Sequence, residues 1–117
     1  FSNTMFNFYP RRIFLATQPT DMRKSFDTLA ALVKTSLASD PYSGDAFLFY
    51  GKRKNRLKIL FWEDSGFWLF SKRLEAGTFP IPTSDSPCFE MTRTQLQLFL
   101  DGLVVLQSKQ LKRYKLS

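Results

Sequence analysis

Three apolar, aromatic-rich runs separated by two short breaks occupy the middle of the chain: Ala46 to Tyr50, Leu57 to Glu63, and Phe67 to Ser71 or a little beyond. Runs of this length, rich in Phe, Trp, Leu and Ile and bounded by turn residues, read as strands, and such short breaks fit an antiparallel meander best. The second break, Asp64-Ser65-Gly66, is a tight hairpin connection, with Gly66 expected where a positive φ is needed. In the middle run, alternation puts Leu57, Ile59 and Phe61 on one face and Lys58, Leu60 and Trp62 on the other. Both faces are therefore largely apolar. One face must pack on a helix, and the second must be covered by the remaining chain, by a partner or by nucleic-acid bases.

The flanking segments supply that cover. Arg12 to Ala16, between Pro10 and Pro19, reads as a first strand. Met22, Phe26, Leu29, Ala30, Val33 and Leu37 then recur at helical spacing, with Thr20 or Asp21 as the expected cap. Asp40-Pro41-Tyr42-Ser43-Gly44 ends that helix. Pro80, Pro82 and Pro87 mark a connection between Phe79 and Phe89; Thr92 and Gln95 have capping-box spacing before Leu96, Phe99, Leu100 and Leu103, with Gly102 near the close of a short second helix. The fold class expected is α+β: an antiparallel meander of three to five strands, one long helix packed on it, and a short C-terminal helix. At 117 residues the chain holds about one domain. It is placed at 11–105, after an N-terminal extension at 1–10 and before a basic C-terminal tail at 106–117. Phe1 to Thr4 read as a trimmed or added start, with Met5 a candidate initiator. No stretch reaches the roughly 20 apolar residues of a membrane span, and the first residues do not form a secretion signal, so a cytoplasmic protein without a membrane partner is expected.

Histidine is absent and cysteine occurs once, which removes Ser-His-Asp and Cys-His triads, His-ligated metals, zinc fingers and internal disulfides. Cys88 reads as a small buried hydrophobe, because no histidine exists to activate it. Glu63, Asp64, Asp85 and Glu90 could be assembled into a metal-binding carboxylate set, but ten acids scattered along the chain supply such groupings by chance. No cofactor, metal or catalytic residue is expected.

Seventeen Lys+Arg against ten Asp+Glu give a net charge of +7, a balance that favours polyanionic partners, nucleic acid first. Residues 1–50 carry +1, 51–75 carry +4 and 76–117 carry +2. The excess thus gathers on the meander, chiefly in the six-residue break Gly51-Lys52-Arg53-Lys54-Asn55-Arg56, followed by Lys58. Lys and Arg on a loop reach phosphate oxygens and give salt-sensitive, sequence-independent affinity; the alternative is a solvated loop that keeps an aromatic hairpin soluble. Arg23 and Lys24 are expected in the first turn of the first helix, where cations and free backbone N–H groups could hold a phosphate, unless Asp21 or Asp27 pairs with them. Lys72 and Arg73 form a further basic pair. Trp62, Trp68, Phe67 and Phe70 could stack bases or simply belong to the core.

Two blocks of this sequence, Thr20-Asp21-Met22-Arg23-Lys24-Ser25-Phe26-Asp27 and Lys72-Arg73-Leu74-Glu75-Ala76-Gly77-Thr78-Phe79, look familiar together with Asp40-Pro41, Ser43-Gly44, Lys58-Ile59-Leu60, Trp62 and Gly66-Phe67-Trp68-Leu69. From about Ile13 to Leu103 the chain resembles the TnpB accessory proteins of the insertion sequence sixty-six family, the small second open reading frame of a bacterial transposable element. Ser25 stands where that family commonly has Gly, and Pro80-Ile81-Pro82 where Trp-Pro is usual. The resemblance implies a non-catalytic accessory of transposition, working beside a larger DDE transposase that carries the catalytic acids. The expected function is DNA binding at mobile-element ends through phosphate contacts from Arg23, Lys24, Lys52, Arg53, Lys54, Arg56, Lys58, Lys72 and Arg73. The alternative is a protein–protein adaptor docking on the transposase through an apolar sheet face; a nuclease-like enzyme is a distant third.

Overall fold

The computed structural model describes residues 9–102 and the short strands Val104–Val105 and Leu111–Lys112. In chain order the elements are β1 (Ile13–Ala16), α1 (Phe26–Thr35), β2 (Ala46–Tyr50), β3 (Arg56–Glu63), β4 (Gly66–Arg73), β5 (Cys88–Met91), α2 (Arg93–Leu100), β6 (Val104–Val105) and β7 (Leu111–Lys112). Five strands make one sheet in the order β4-β3-β2-β1-β5, while β6 and β7 pair with each other. The remainder of the basic tail read at 106–117, and residues 1–8, lie outside the described residues.

The α+β class holds, with two corrections to its detail. β2, β3 and β4 form the expected antiparallel meander, but β1 runs parallel to β2, with Ile13 opposite Ala46 and Leu15 opposite Leu48. Parallel neighbours need a crossover connection, and α1 with its flanking loops provides it. β5 then extends the sheet beyond β1 in antiparallel register.

The long helix expected from Met22 to Leu37 is ten residues, Phe26–Thr35. Its start is delayed by Asp21, whose carboxylate accepts the Arg23 N–H at 2.9 Å while its carbonyl accepts the Lys24 N–H at 3.1 Å. An aspartate that captures the backbone two residues on makes a turn that competes with a helix. The N-cap is Ser25, not Thr20 or Asp21, and its side chain makes no cap bond. Beyond the other end, Ala38 takes φ +51, a left-handed residue that stops the helix from continuing. The periodic residues still share one face, with Leu29, Ala30, Val33 and Leu37 buried. A third correction concerns the hairpin. The positive φ falls on Asp64 (+53), and Gly66 is already in β4, paired with Glu63. Aspartate tolerates the left-handed region better than most side chains.

Both faces of the sheet's inner strands are covered by the chain itself, while the edge strand β4 is only partly covered. α1 buries Leu29, Ala30 and Val33 against Ala16, Phe47, Phe49 and Leu60. On the opposite face Leu96 and Phe99 of α2, with Phe79 from the β4–β5 connection, cover Ile13, Leu15, Leu48, Tyr50, Leu57, Ile59 and Phe61. Every residue of β2 is buried, as a central strand between two helical layers requires. The Phe79 and Phe99 rings stack at 5.3 Å. The capping box forms as its spacing predicts: Thr92 Oγ1 accepts the Gln95 N–H at 3.0 Å, and Gln95 Oε1 accepts the Thr92 N–H at 2.8 Å. No helix among the described residues is long and apolar enough to cross a membrane.

Candidate nucleic-acid interface

The connection between β2 and β3 is short, basic and held from both sides. Within it the Gly51 N–H donates to the Arg56 carbonyl at 3.1 Å and the Lys54 N–H to the Gly51 carbonyl at 2.8 Å. On one flank the Thr20 N–H donates to the Tyr50 carbonyl at 2.8 Å, and Met22 packs so closely that a Cβ on Gly51 would lie 2.7 Å from Met22 Cγ. On the other, the carbonyls of Lys54 and Asn55 accept the N–H groups of Phe79 (2.7 Å) and Leu74 (2.8 Å). The Thr20–Asp27 and Lys72–Phe79 blocks, some fifty residues apart in the chain, therefore meet across this loop.

Between the loop and the Thr20–Met22 segment lies a cleft of about 570 Å³, lined on its basic side by Lys52, Arg53, Arg56 and Arg73. A second cleft of about 460 Å³ shares Met22, Arg56 and Arg73 with the first and adds Lys58, Ser71 and Glu75. The hairpin register places Arg56 directly opposite Arg73. Like charges in that position destabilise an antiparallel pair by a few tenths to about 1 kcal/mol unless something screens them. Arg73 is partly compensated by Glu75 at 3.2 Å, an exposed pair. The side chains of Lys52, Arg53, Lys54 and Arg56 have no ion-pair or hydrogen-bond partner among the described residues. Elsewhere arginines are paired: Arg11 lies 3.5 Å from Asp45, and Arg12 makes two bonds to Glu90 at 2.7 and 3.0 Å.

The remaining sequence candidates lie outside that first cleft. Lys54 sits on the loop but does not line it, its backbone turned at φ +63. Lys58 lines the second cleft, and its ammonium donates to the Lys24 carbonyl at 2.7 Å, tying β3 to the turn before α1. Arg23 and Lys24 precede α1, so the site expected in its first turn does not form. Arg23 instead grips Asp21 through both carboxylate oxygens, and this guanidinium holds the Asp21 carboxyl well below the usual carboxylate range. Asp21 rather than Asp27 is thus the partner of Arg23. Lys24 lines a separate, largely apolar cleft of about 230 Å³ beside α1. Lys72 projects to the α2 side of the sheet, where its ammonium donates to the Leu100 carbonyl at 2.9 Å.

The aromatic residues are also apart from the basic clefts. Trp62 and Phe67 cluster with the half-exposed Tyr42, at ring distances of 5.0 to 5.4 Å, and Lys34 lies over the Tyr42 ring. Trp68 stacks on Phe70 at 6.0 Å on the α2 side, its indole N–H donating to Glu63 at 2.8 Å. Glu63 and Glu90 are each occupied by a partner, and among the described residues no three His, Cys, Asp or Glu side chains gather as metal ligands would. Cys88 packs against the α1-side core, and burial pushes its thiol pKa up.

Sequence reasoning missed the place of Met22 and the register that sets Arg56 opposite Arg73. Met22 was counted as part of a helix stripe but wedges the Thr20–Met22 segment against Gly51, whose lack of a side chain lets it do so. The Arg56–Arg73 pairing follows from a two-residue turn at 64–65, whereas the connection read as Asp64-Ser65-Gly66 puts the register one residue off and sets Arg56 opposite Leu74.

A family model described as IS66 Orf2 like protein matches residues 11–110. Two curated proteins of Sinorhizobium fredii are similar: the uncharacterized protein y4jC, 41% identical over 92 residues covering 79% of each chain, and the uncharacterized protein y4hO, 35% identical over 92 residues covering 79% of this chain and 80% of its own. No solved structure matches.

Proposed function

The chain belongs to the IS66 Orf2-like family of transposition-associated accessory proteins, and from that premise we propose that it is a non-catalytic, cytoplasmic subunit that binds mobile-element DNA through its basic loop and clefts, in complex with the element's separate DDE transposase. One observation carries this reading. Lys52, Arg53, Lys54 and Arg56 stand together without acidic partners on a loop whose backbone is fixed on both flanks, with Arg73 facing Arg56. A loop fixed this way needs no backbone ordering when a phosphate arrives, and the anion relieves the repulsion between Arg56 and Arg73. The nine sequence candidates then divide by role. Lys52, Arg53, Arg56 and Arg73 contact phosphate, Lys54 and Lys58 contribute field from the loop and the second cleft, and Arg23, Lys24 and Lys72 serve at its margins.

The test is a titration of element-end DNA at rising salt. Affinity falls steeply from low to physiological salt, with a logarithmic slope of about −0.9 per duplex phosphate neutralised. Replacing Lys52, Arg53, Lys54 and Arg56 together by Ala flattens that slope and weakens binding equally across sequences. A flat response in the parent protein rules the reading out. A second reading, the adaptor, draws on the exposed Tyr42 and Trp68, at 51% and 43% exposure, which leave aromatic surface near the β3–β4 hairpin for a protein partner. Co-purification with the transposase that persists in high salt and is lost on replacing Trp68 and Tyr42 favours it.

A further inference from the structure

The two clefts are contiguous: Met22, Arg56 and Arg73 line both. Arg56 and Lys58 lie two residues apart on the same face of β3, a step of roughly 6.8 Å along a strand, comparable to the step between neighbouring phosphates of one nucleic-acid strand; one of the three ammonium donors of Lys58 is committed to the Lys24 carbonyl, which leaves two for a phosphate. The first cleft adds Lys52 and Arg53, whose backbone N–H groups donate to no acceptor among the described residues. Neither cleft has an aromatic side chain in its lining, and the rings that could stack bases lie elsewhere, at Tyr42-Trp62-Phe67 and Trp68-Phe70.

We propose that the two clefts form one groove that holds consecutive phosphates of a single nucleic-acid strand, Arg56 and Arg73 bridging two adjacent phosphate positions, and that the groove reads no bases. This rests on the proposed DNA-binding role and specifies its ligand: the sugar–phosphate backbone of one strand, whether or not that strand is paired. One anion relieves most of the Arg56–Arg73 repulsion; a second phosphate on the same strand then meets the adjoining cleft without a further encounter cost, so two linked phosphates bind more tightly than one. Arg73 reaches the groove with Glu75 as its resting partner, and an incoming phosphate displaces that exposed carboxylate.

The experiment uses the full chain at low salt and measures fluorescence anisotropy. One probe is a labelled thymidine 12-mer; another is an abasic phosphodiester of the same length. Competition by thymidine oligonucleotides carrying one, two and three phosphates completes the set. The expected result is that abasic and thymidine probes bind within about threefold of each other, as base-independent phosphate binding requires. Competitor affinity rises in a step from one phosphate to two, and Arg56→Gln and Arg73→Gln, both at exposed positions, each abolish the step and weaken both probes alike. Abasic binding weaker by tenfold or more, or a step unchanged in both variants, overturns the groove while leaving DNA binding in place. Absence of binding to either probe, and to duplex element ends, removes the DNA-binding role itself and the groove with it.

Discussion

Gly51→Ala tests how the basic loop is positioned. The added methyl would sit 2.7 Å from Met22 Cγ, closer than carbon atoms tolerate. The φ of Gly51 is not in the positive region, so alanine suits the backbone and, by restricting the unfolded chain, would by itself stabilise by about 0.4–1 kcal/mol. Overpacking costs about 1–3 kcal/mol, so the net expectation is a loss of about 0–2.6 kcal/mol. Met22→Ala removes the obstacle. In that background Gly51→Ala becomes neutral or stabilising, a coupling of about 1–3 kcal/mol between the two positions. Urea denaturation followed by the fluorescence of Trp62 and Trp68 measures all four proteins, with an unchanged slope confirming that only stability differs. Because Met22 also lines both clefts, the single Gly51→Ala variant should weaken DNA binding as well, while the loop's charge is untouched. If Gly51→Ala costs the same with Met22 and with Ala at position 22, within about 0.3 kcal/mol, the close approach is not what fixes the loop.

Phe99→Ala deletes a fully buried ring stacked on Phe79 and should cost about 3–5 kcal/mol in a denaturant melt, enough to leave much of the chain unfolded. Thr92→Ala breaks the capping box of α2 at a cost of about 1 kcal/mol by the same measurement, and Thr92→Ser restores most of it. The Arg12 guanidinium holds the Glu90 carboxyl below its ordinary value, so the pair's contribution is complete above about pH 4.3 and is lost as pH falls through the lower folded value. Both side chains are about half exposed, so solvent screens the pair and the effect is small; Glu90→Gln should flatten the acid limb of stability slightly. Cys88, its thiol pKa raised by burial, should alkylate slowly near neutral pH in the native protein and quickly in denaturant; equal rates would contradict its placement.

The central meander was readable because its signals are local: strand runs of four to eight residues, turn-forming residues at Asp64-Ser65-Gly66, and alternation along β3. The second helix was equally plain, since Thr92 and Gln95 form their cap with each other and need nothing distant. What sequence reading missed depends on competition or on long-range pairing. Met22 has the right spacing for α1, but Asp21 claims the Arg23 N–H first and defers the helix to Phe26. β1 carries no mark of its direction, yet a strand, a helix and a strand in succession is the arrangement that permits parallel pairing, and an antiparallel sheet throughout ignored that option. At the candidate site, composition showed where cations are dense but not which ones are spent. Arg23, Lys58 and Lys72 look equivalent to Arg56 along the chain, and only their contacts with Asp21, Lys24 and Leu100 separate them.

The walls of the basic clefts come from Thr20–Met22, from the loop at 51–56 and from Arg73, with Leu74 and Phe79 bonded to the loop from behind. The Thr20–Met22 segment, the loop at 51–56 and Arg73 lie well apart in the chain. A growing polypeptide has released all of them from the ribosome only after Phe79 has emerged, and even then β1 must find β2 across α1, a slow, non-local closure. Until that moment the cations already released are a diffuse charge on an unfolded chain, without a shaped place for a phosphate. On the proposed function, nucleic-acid capture would wait until synthesis and folding are well advanced, and a product truncated before Arg73 would have the charge for nonspecific attraction but not the clefts.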